Sequence, residues 1–171
     1  MVERLRQGGY ILYIRHAATE SAQDDPAPDL NDSSTQRNLN AAGQEQAREI
    51  GRAIRRLGIP IGQVLVSPYD RTRETAELAF GKGRVRDTRI LISEGFPGTD
   101  DDELARGLRR LLRQSPGKGS NTVLVSHGFN INQAAGLSIA EGDTVIFDPA
   151  AAKPLTPVTT ISAGDWRSLR G

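Results

Sequence analysis

The sequence predicts an α/β fold, a three-layer sandwich in which a central, mostly parallel sheet is flanked by helices. Three observations carry that prediction. Short, β-branched apolar segments at residues 10–14, 64–66 and 122–126 are near-continuous, as in parallel strands covered on both faces. Amphipathic helical patterns fall between them, and strand alternating with helix is the pattern of an α/β sandwich. The chain of 171 residues has the length of one ordinary domain and enough material for a sizeable core, so residues 1–171 are expected to form a single domain.

The elements follow in order. Tyr10-Ile-Leu-Tyr-Ile14 is the first strand. Residues 21–38 are polar, hold two Pro and have no usable periodicity, so they are expected to be a long functional loop. From 41 to 57, Ala47, Ile50, Ile54 and Leu57 recur at three- and four-residue steps, with Asn40 as an N-cap and Gly58-Ile-Pro60 as the stop. Val64-Leu-Val66 is the second strand, followed by a shorter helix from about residue 70 to 80 with Gly81 after it. Residues 100–113 place Leu104, Leu108, Leu111 and Leu112 on one side of a helix. Acids Asp100 to Glu103 fill its first turn and Arg109, Arg110 and Arg113 its last, which complements the helix dipole. Thr122-Val-Leu-Val-Ser126 is the third strand, and residues 144–147 and 158–162 are two late strands joined as a hairpin through the loop 148–157.

Composition excludes several classes of function. Lys and Arg number 22 against 21 Asp and Glu, so no nucleic acid or membrane partner is expected and any anion site must be built locally. The absence of Cys removes thiolate nucleophiles, thiolate metal sites and disulfides. Apolar runs of about five residues are far too short to span a bilayer. Met1-Val-Glu-Arg-Leu-Arg lacks the apolar core of a signal peptide, so a cytoplasmic protein is expected, unless an export segment was trimmed from the N-terminus. No feature specifies an oligomeric state.

The chain has two histidines, and each directly follows an apolar strand, in Ile14-Arg15-His16 and Ser126-His127-Gly128. Ligands of open α/β sheets bind outside the carboxyl ends of the strands, where parallel neighbours would bring His16 and His127 together. The second strand runs into Ser67-Pro-Tyr-Asp-Arg71, adding a cation on the first turn of a helix. Arg15, His16, Arg71 and His127 thus converge. Two guanidiniums and one imidazole suit a phosphate dianion, and the other imidazole is free for nucleophilic attack. A metal site using both histidines and an Asp is the weaker rival, because no third ligand lies at close spacing and the arginines would repel a divalent ion. Arg73 is expected to point away from the site and to pair with Glu77 at i+4.

The motifs Arg15-His16-Ala17-Ala18-Thr19, Leu39-Asn-Ala-Ala-Gly43-Gln-Glu-Gln46-Ala47, Ser67-Pro-Tyr-Asp-Arg71-Thr-Arg-Glu-Thr75-Ala76 and Ser126-His127-Gly128 resemble, in order, those of the histidine phosphatase superfamily, which includes the cofactor-dependent phosphoglycerate mutases. The resemblance implies a phosphoglycerate mutase-like fold. It also implies a nucleophile at His16 that becomes phosphohistidine, a phosphoryl group held by Arg15, Arg71 and His127, and no metal or cofactor. Thr19 and Gly128 of the matching motifs would bind a small phosphorylated substrate. The general acid would be Glu94, with Asp100, Asp101 and Asp102 as substitutes. Two positions depart from the pattern. Ala17 replaces a Gly, where a methyl group would either crowd the phosphate or only restrict the backbone, and Ala22 replaces an Asn, whose contact Arg37 would supply unless it is a plain surface charge. The expected activity is hydrolysis of a phosphomonoester or of protein phosphohistidine. The alternatives are phosphoglycerate mutase-type transfer and a non-catalytic module that binds phosphorylated ligands.

Overall fold

The structure is a computed structural model that describes residues 1–21, 23–151 and 154–170. The described residues form six strands: β1 (Ile11–Arg15), β2 (Ile61–Val66), β3 (Val85–Asp87), β4 (Asn121–Ser126), β5 (Thr144–Phe147) and β6 (Thr159–Ile161). The helices are α1 (Val2–Gln7), α2 (Ala41–Arg56), α3 (Asp70–Phe80), α4 (Asp101–Leu111) and α5 (Gly128–Ala135). The sheet order is β3-β2-β4-β1-β5-β6. The pairs β3–β2, β2–β4 and β4–β1 are parallel, and β1–β5 and β5–β6 are antiparallel. This is the expected mostly parallel sheet, closed at one edge by the expected hairpin. Ala22, and Ala152 and Lys153 of the loop 148–157, lie outside the described residues.

Alternate residues of each central strand serve opposite faces. Leu12, Ile14, Val64, Val66, Val123 and Val125 pack with Ile50 and Ile54 of α2, Ala76 of α3, Leu5 of α1 and Trp166. Ile11, Tyr13, Leu124, Val145 and Phe147 pack with Leu108 of α4, with Leu112 at its C-cap and with Ile131 and Ala134 of α5. Helices therefore cover both faces, and burying these aliphatic chains contributes about 1.5–3 kcal/mol each. Trp166, the only tryptophan, is fully buried, and its indole Nε1–H donates to Thr144 Oγ1 at 3.2 Å. No helix among the described residues is long and apolar enough to cross a membrane.

The caps explain the helix limits. Asn40 Oδ1 accepts from Gly43 N–H at 2.8 Å, and Asp100 Oδ1 accepts from Glu103 N–H at 3.0 Å, so Asp100 caps α4 and is not part of it. Three elements have no counterpart in the sequence reading. In α1 the only buried residues are Val2 and Leu5, too few to show a period. β3 has three residues, none fully buried, on the sheet edge. α5 begins at Gly128 and buries Asn130, which breaks the apolar pattern. Arg73 also differs from expectation: it bonds Asp87 at 2.6 Å and Asp70 at 3.4 Å, because β3 brings Asp87 within reach, and Glu77 is not its partner.

Candidate active site

The parallel strands deliver three chain segments to one edge. β1 runs into His16, whose N–H bonds Ser126 O at 2.9 Å, and β2 runs into Ser67, whose N–H bonds Val125 O at 3.0 Å. β4, between them, ends at Ser126 and leads to His127. A cavity of about 360 Å³ at this edge is lined by Arg15, His16, Asp24, Arg37, Arg71, Ser93, His127 and Gly128, together with Phe129, Asn132, Ser138 and Ile139. A second cavity, about 270 Å³, lies by the start of β2 and β4 and has no charged side chain in its lining.

The two imidazoles meet edge to face, with ring centroids 5.6 Å apart. His16 Nδ1 is 2.9 Å from Ala17 O, and a carbonyl only accepts, so this bond assigns the ring proton to Nδ1 and leaves the lone pair on Nε2. Burial pushes the His16 pKa down to about 3, and Arg71, Arg15 and Arg37 add to the effect, so the ring is neutral near pH 7. Burial also holds His127 well below its ordinary value, helped by Arg71 and His16. His127 Nε2 lies 2.9 Å from Ser67 Oγ. That hydroxyl has no other acceptor among the described residues, so it donates to Nε2 and the proton of the neutral ring sits on Nδ1. The buried Tyr13 hydroxyl donates to His127 O at 2.7 Å and fixes the backbone there.

Arg71 is 3% exposed, and its guanidinium lies 4.3 Å over the Tyr69 ring, while Tyr69 in turn packs edge-on to His127. Arg15 Nη1 donates to Ile139 O at 2.8 Å. Both Arg15 Nε and Arg71 Nε are buried with no hydrogen-bond partner among the described residues. Gly128 packs on Arg15, and a Cβ at this position would stand 3.3 Å from Arg15 Nε and Nη1. Arg37 lines the cavity and is not a plain surface charge.

Two carboxylates that the sequence reading missed share the site. Asp24 Oδ1 accepts from Arg71 Nη1 and from Arg37 N–H, each at 2.8 Å. Glu141 Oε1 lies 3.6 Å from Arg15 Nη2, 3.9 Å from His16 Nδ1 and 4.0 Å from Arg37 Nη2. Thr19 departs from its expected role. It does not line the cavity, because its hydroxyl donates to Glu141 Oε1 at 3.0 Å and its N–H to Oε2 at 3.3 Å.

Glu94 does not line the cavity either, although the preceding Ser93 does. Ser126 Oγ and Asn130 Nδ2 donate to Leu91 O and Ile92 O and so hold this segment to the end of β4 and to α5. Glu94 Oε2 is buried without a partner among the described residues, and burial, with Asp101 nearby, pushes its pKa up to about 7. The substitutes are otherwise engaged or exposed: Asp100 caps α4, Asp101 accepts from Gly95 N–H at 3.2 Å, and Asp102 is exposed.

The second motif acts by close approach. A Cβ on Gly43 would fall 1.9 Å from Ala18 O, so only glycine lets α2 meet the segment after β1, and Gln46 Oε1 accepts from Ala18 N–H at 3.0 Å. Ala17 is buried with Leu39 and Ala47, its N–H donating to Thr75 Oγ1 at 3.0 Å. Its methyl group packs in that cluster and does not crowd the cavity.

The likeness to solved structures follows this layout. SixA, a protein histidine phosphatase complexed with tungstate, is 17% identical, with a TM-score of 0.59 over 91% of this chain and 98% of that one. Phosphoserine phosphatase of Entamoeba histolytica, in complex with 3-phosphoglyceric acid, is 17% identical, with a TM-score of 0.63 over 90% and 96%. A mycobacterial glucosyl-3-phosphoglycerate phosphatase is 16% identical, with a TM-score of 0.58 over 81% and 89%. At these identities the likeness establishes the fold, which is phosphoglycerate mutase-like. A comparison with curated protein sequences returns no match. The model of one family spans residues 11–96, half of the chain, from β1 through α3 to the segment carrying Glu94, and by that match the chain belongs to the histidine phosphatase superfamily, branch 1.

Proposed function

We propose that the chain is a metal-independent phosphatase that hydrolyses a small phosphomonoester, or a protein phosphohistidine, through a phosphohistidine at His16. The observation that carries this reading is the pair of buried guanidinium donors, Arg15 Nε and Arg71 Nε, without acceptors among the described residues, in side chains that line one cavity with His16 and its Nε2 lone pair. Buried donors are rarely left unpaired, and phosphoryl oxygens would satisfy both.

In this reading Nε2 of His16 attacks phosphorus and the bond from phosphorus to the leaving oxygen breaks. Its electron pair goes to that oxygen, which takes a proton that Glu94, the neighbour of the cavity-lining Ser93, supplies through water. Arg15, Arg71 and His127, through Nδ1–H, hold the equatorial oxygens and offset their charge, with Arg37 and Gly128 at the substrate side of the cavity. Water then attacks phosphorus and gives its proton to the Glu94 carboxylate, the bond from phosphorus to Nε2 breaks with its electron pair returning to the imidazole, and phosphate leaves.

The test is phosphate release from a panel of phosphate esters by purified protein in excess EDTA, with vanadate as competitor. Turnover that survives chelation and disappears in His16→Ala supports the reading. Loss of turnover in EDTA with recovery on adding zinc or magnesium overturns it. Binding of inorganic phosphate without hydrolysis of any ester would instead mark a non-catalytic binding module.

A further inference from the structure

Glu141 lies beyond the segment that carries the family match, yet it touches more of the site than any other acid. It is held there by main chain. Gly142 N–H bonds both Arg15 O (3.2 Å) and His16 O (3.0 Å), Arg15 N–H bonds Asp143 O at 3.1 Å, and a turn between Ala140 and Asp143 closes the loop. Gln46 Nε2 donates to Glu141 O at 3.3 Å. The carboxylate itself is clamped by Thr19 through both hydroxyl and N–H. A side chain gripped in this way is part of the built site.

Its position is chemically specific. Oε1 is 3.9 Å from His16 Nδ1, the nitrogen on the far side of the ring from the attacking Nε2. When Nε2 bonds to phosphorus, Nδ1 keeps its proton and the ring becomes a cation. Three arginines line the same cavity and oppose that charge, and Glu141 is the carboxylate beside the ring. We propose that Glu141 is a positioning residue that stabilises the phosphoimidazolium form of His16 while holding Arg15 and Arg37 in place. The proposal rests on His16 being the nucleophile.

Two effects of opposite sign follow for inorganic phosphate and for the chemical step. Phosphate brings negative charge to the cavity and no positive charge to His16, so removing the Glu141 carboxylate favours it and frees two guanidiniums. Phosphorylation of His16 needs the carboxylate and suffers. A residue that only braced the fold would harm both.

The experiment compares wild type, Glu141→Gln and Glu141→Asp. Inorganic phosphate binding is measured by calorimetry, and single-turnover release of nitrophenolate from p-nitrophenyl phosphate is followed with enzyme in excess. The expected result for Glu141→Gln is phosphate binding several-fold tighter together with nitrophenolate release slowed roughly ten- to a hundredfold, the scale of one charge at close range. Glu141→Asp, which keeps the charge, should restore most of the rate. Weaker phosphate binding and slower release by a similar factor in Glu141→Gln, or no change in either, would overturn the proposal. Wild-type protein that releases no nitrophenolate, or a His16→Ala variant that releases it undiminished, would overturn the reading of His16 and this inference with it.

Discussion

Asp24 Oδ1 stands 2.8 Å from Arg71 Nη1, so the most buried guanidinium of the cavity is already paired with a carboxylate from the long loop 21–38. A phosphate in this cavity would compete with that carboxylate, since the two carry the same sign of charge. Asp24→Asn is expected to tighten inorganic phosphate and vanadate by roughly three- to thirtyfold, with the gain shrinking as salt screens it. Inhibition constants at two ionic strengths check this. Weaker anion binding would mean that Asp24 serves to aim Arg71.

The two histidines should separate cleanly. His16→Ala is expected to abolish both turnover and covalent labelling by a phosphorylated substrate. His127→Ala should keep the nucleophile and slow the reaction by about a hundred- to a thousandfold, the typical cost of one donor to a developing oxyanion. Mass spectrometry of the trapped protein tests both. Label that persists without His16 and vanishes without His127 would reverse the roles.

Glu94 predicts a one-sided pH profile. With a pKa raised to about 7, chiefly by burial, it is a proton donor below neutrality and loses that form above it. On an alkyl phosphate kcat/KM should therefore fall above about pH 7, once the ionisation of the substrate is allowed for. His16, neutral down to about pH 3, adds no acid limb at pH 5–6. Glu94→Gln should erase the fall and cost about a hundred- to ten-thousandfold on alkyl phosphate while sparing nitrophenyl phosphate, whose leaving group departs without a proton. Equal losses on both substrates would reassign Glu94 to positioning.

Stability should also depend on pH through His16. Its folded pKa of about 3 is below the unfolded value of 6.5, so between these pH values the unfolded chain binds more protons and stability rises with pH. The His16 contribution is fully present above 6.5 and is lost as pH falls toward 3. Glu94 works in the opposite sense, because its raised pKa costs stability as pH climbs from 4.5 through about 7. Thermal melts of Glu94→Gln should show a steeper loss of stability on acidification from pH 6.5 to 4.5 than wild type. A shallower loss would contradict these shifts.

The segments that became β1, β2, β4 and α2 to α4 had to bury one face or two, and burial writes a period into the residues. α1 and β3 bury too little to write one, and α5 gives its buried positions partly to Asn130, which holds the backbone of Ile92. Arg15, His16, Arg71 and His127 were legible because each sits at or just beyond a strand end, where topology alone brings neighbours together. Asp24 and Glu141 were not, since a single acid in an aperiodic loop looks like any solvated charge. Glu141 did leave one trace: it stands just ahead of the strand 144–147. Once that strand runs antiparallel to β1, its entrance lies over the end of β1, beside His16.

Trp166 gives the molecule an optical consequence. As the only indole of the chain, fully enclosed and bonded to Thr144, the first residue of β5, it is an intrinsic fluorophore whose hydrogen-bond partner stands three residues after Glu141. Its emission should lie toward the blue in the folded protein and move to the red when the core opens. Any ligand that shifts residues 140–143 acts on Thr144 and so on the hydrogen bond of the emitting ring. Occupancy of the cavity can then be followed by light, with no label attached and no substrate identified.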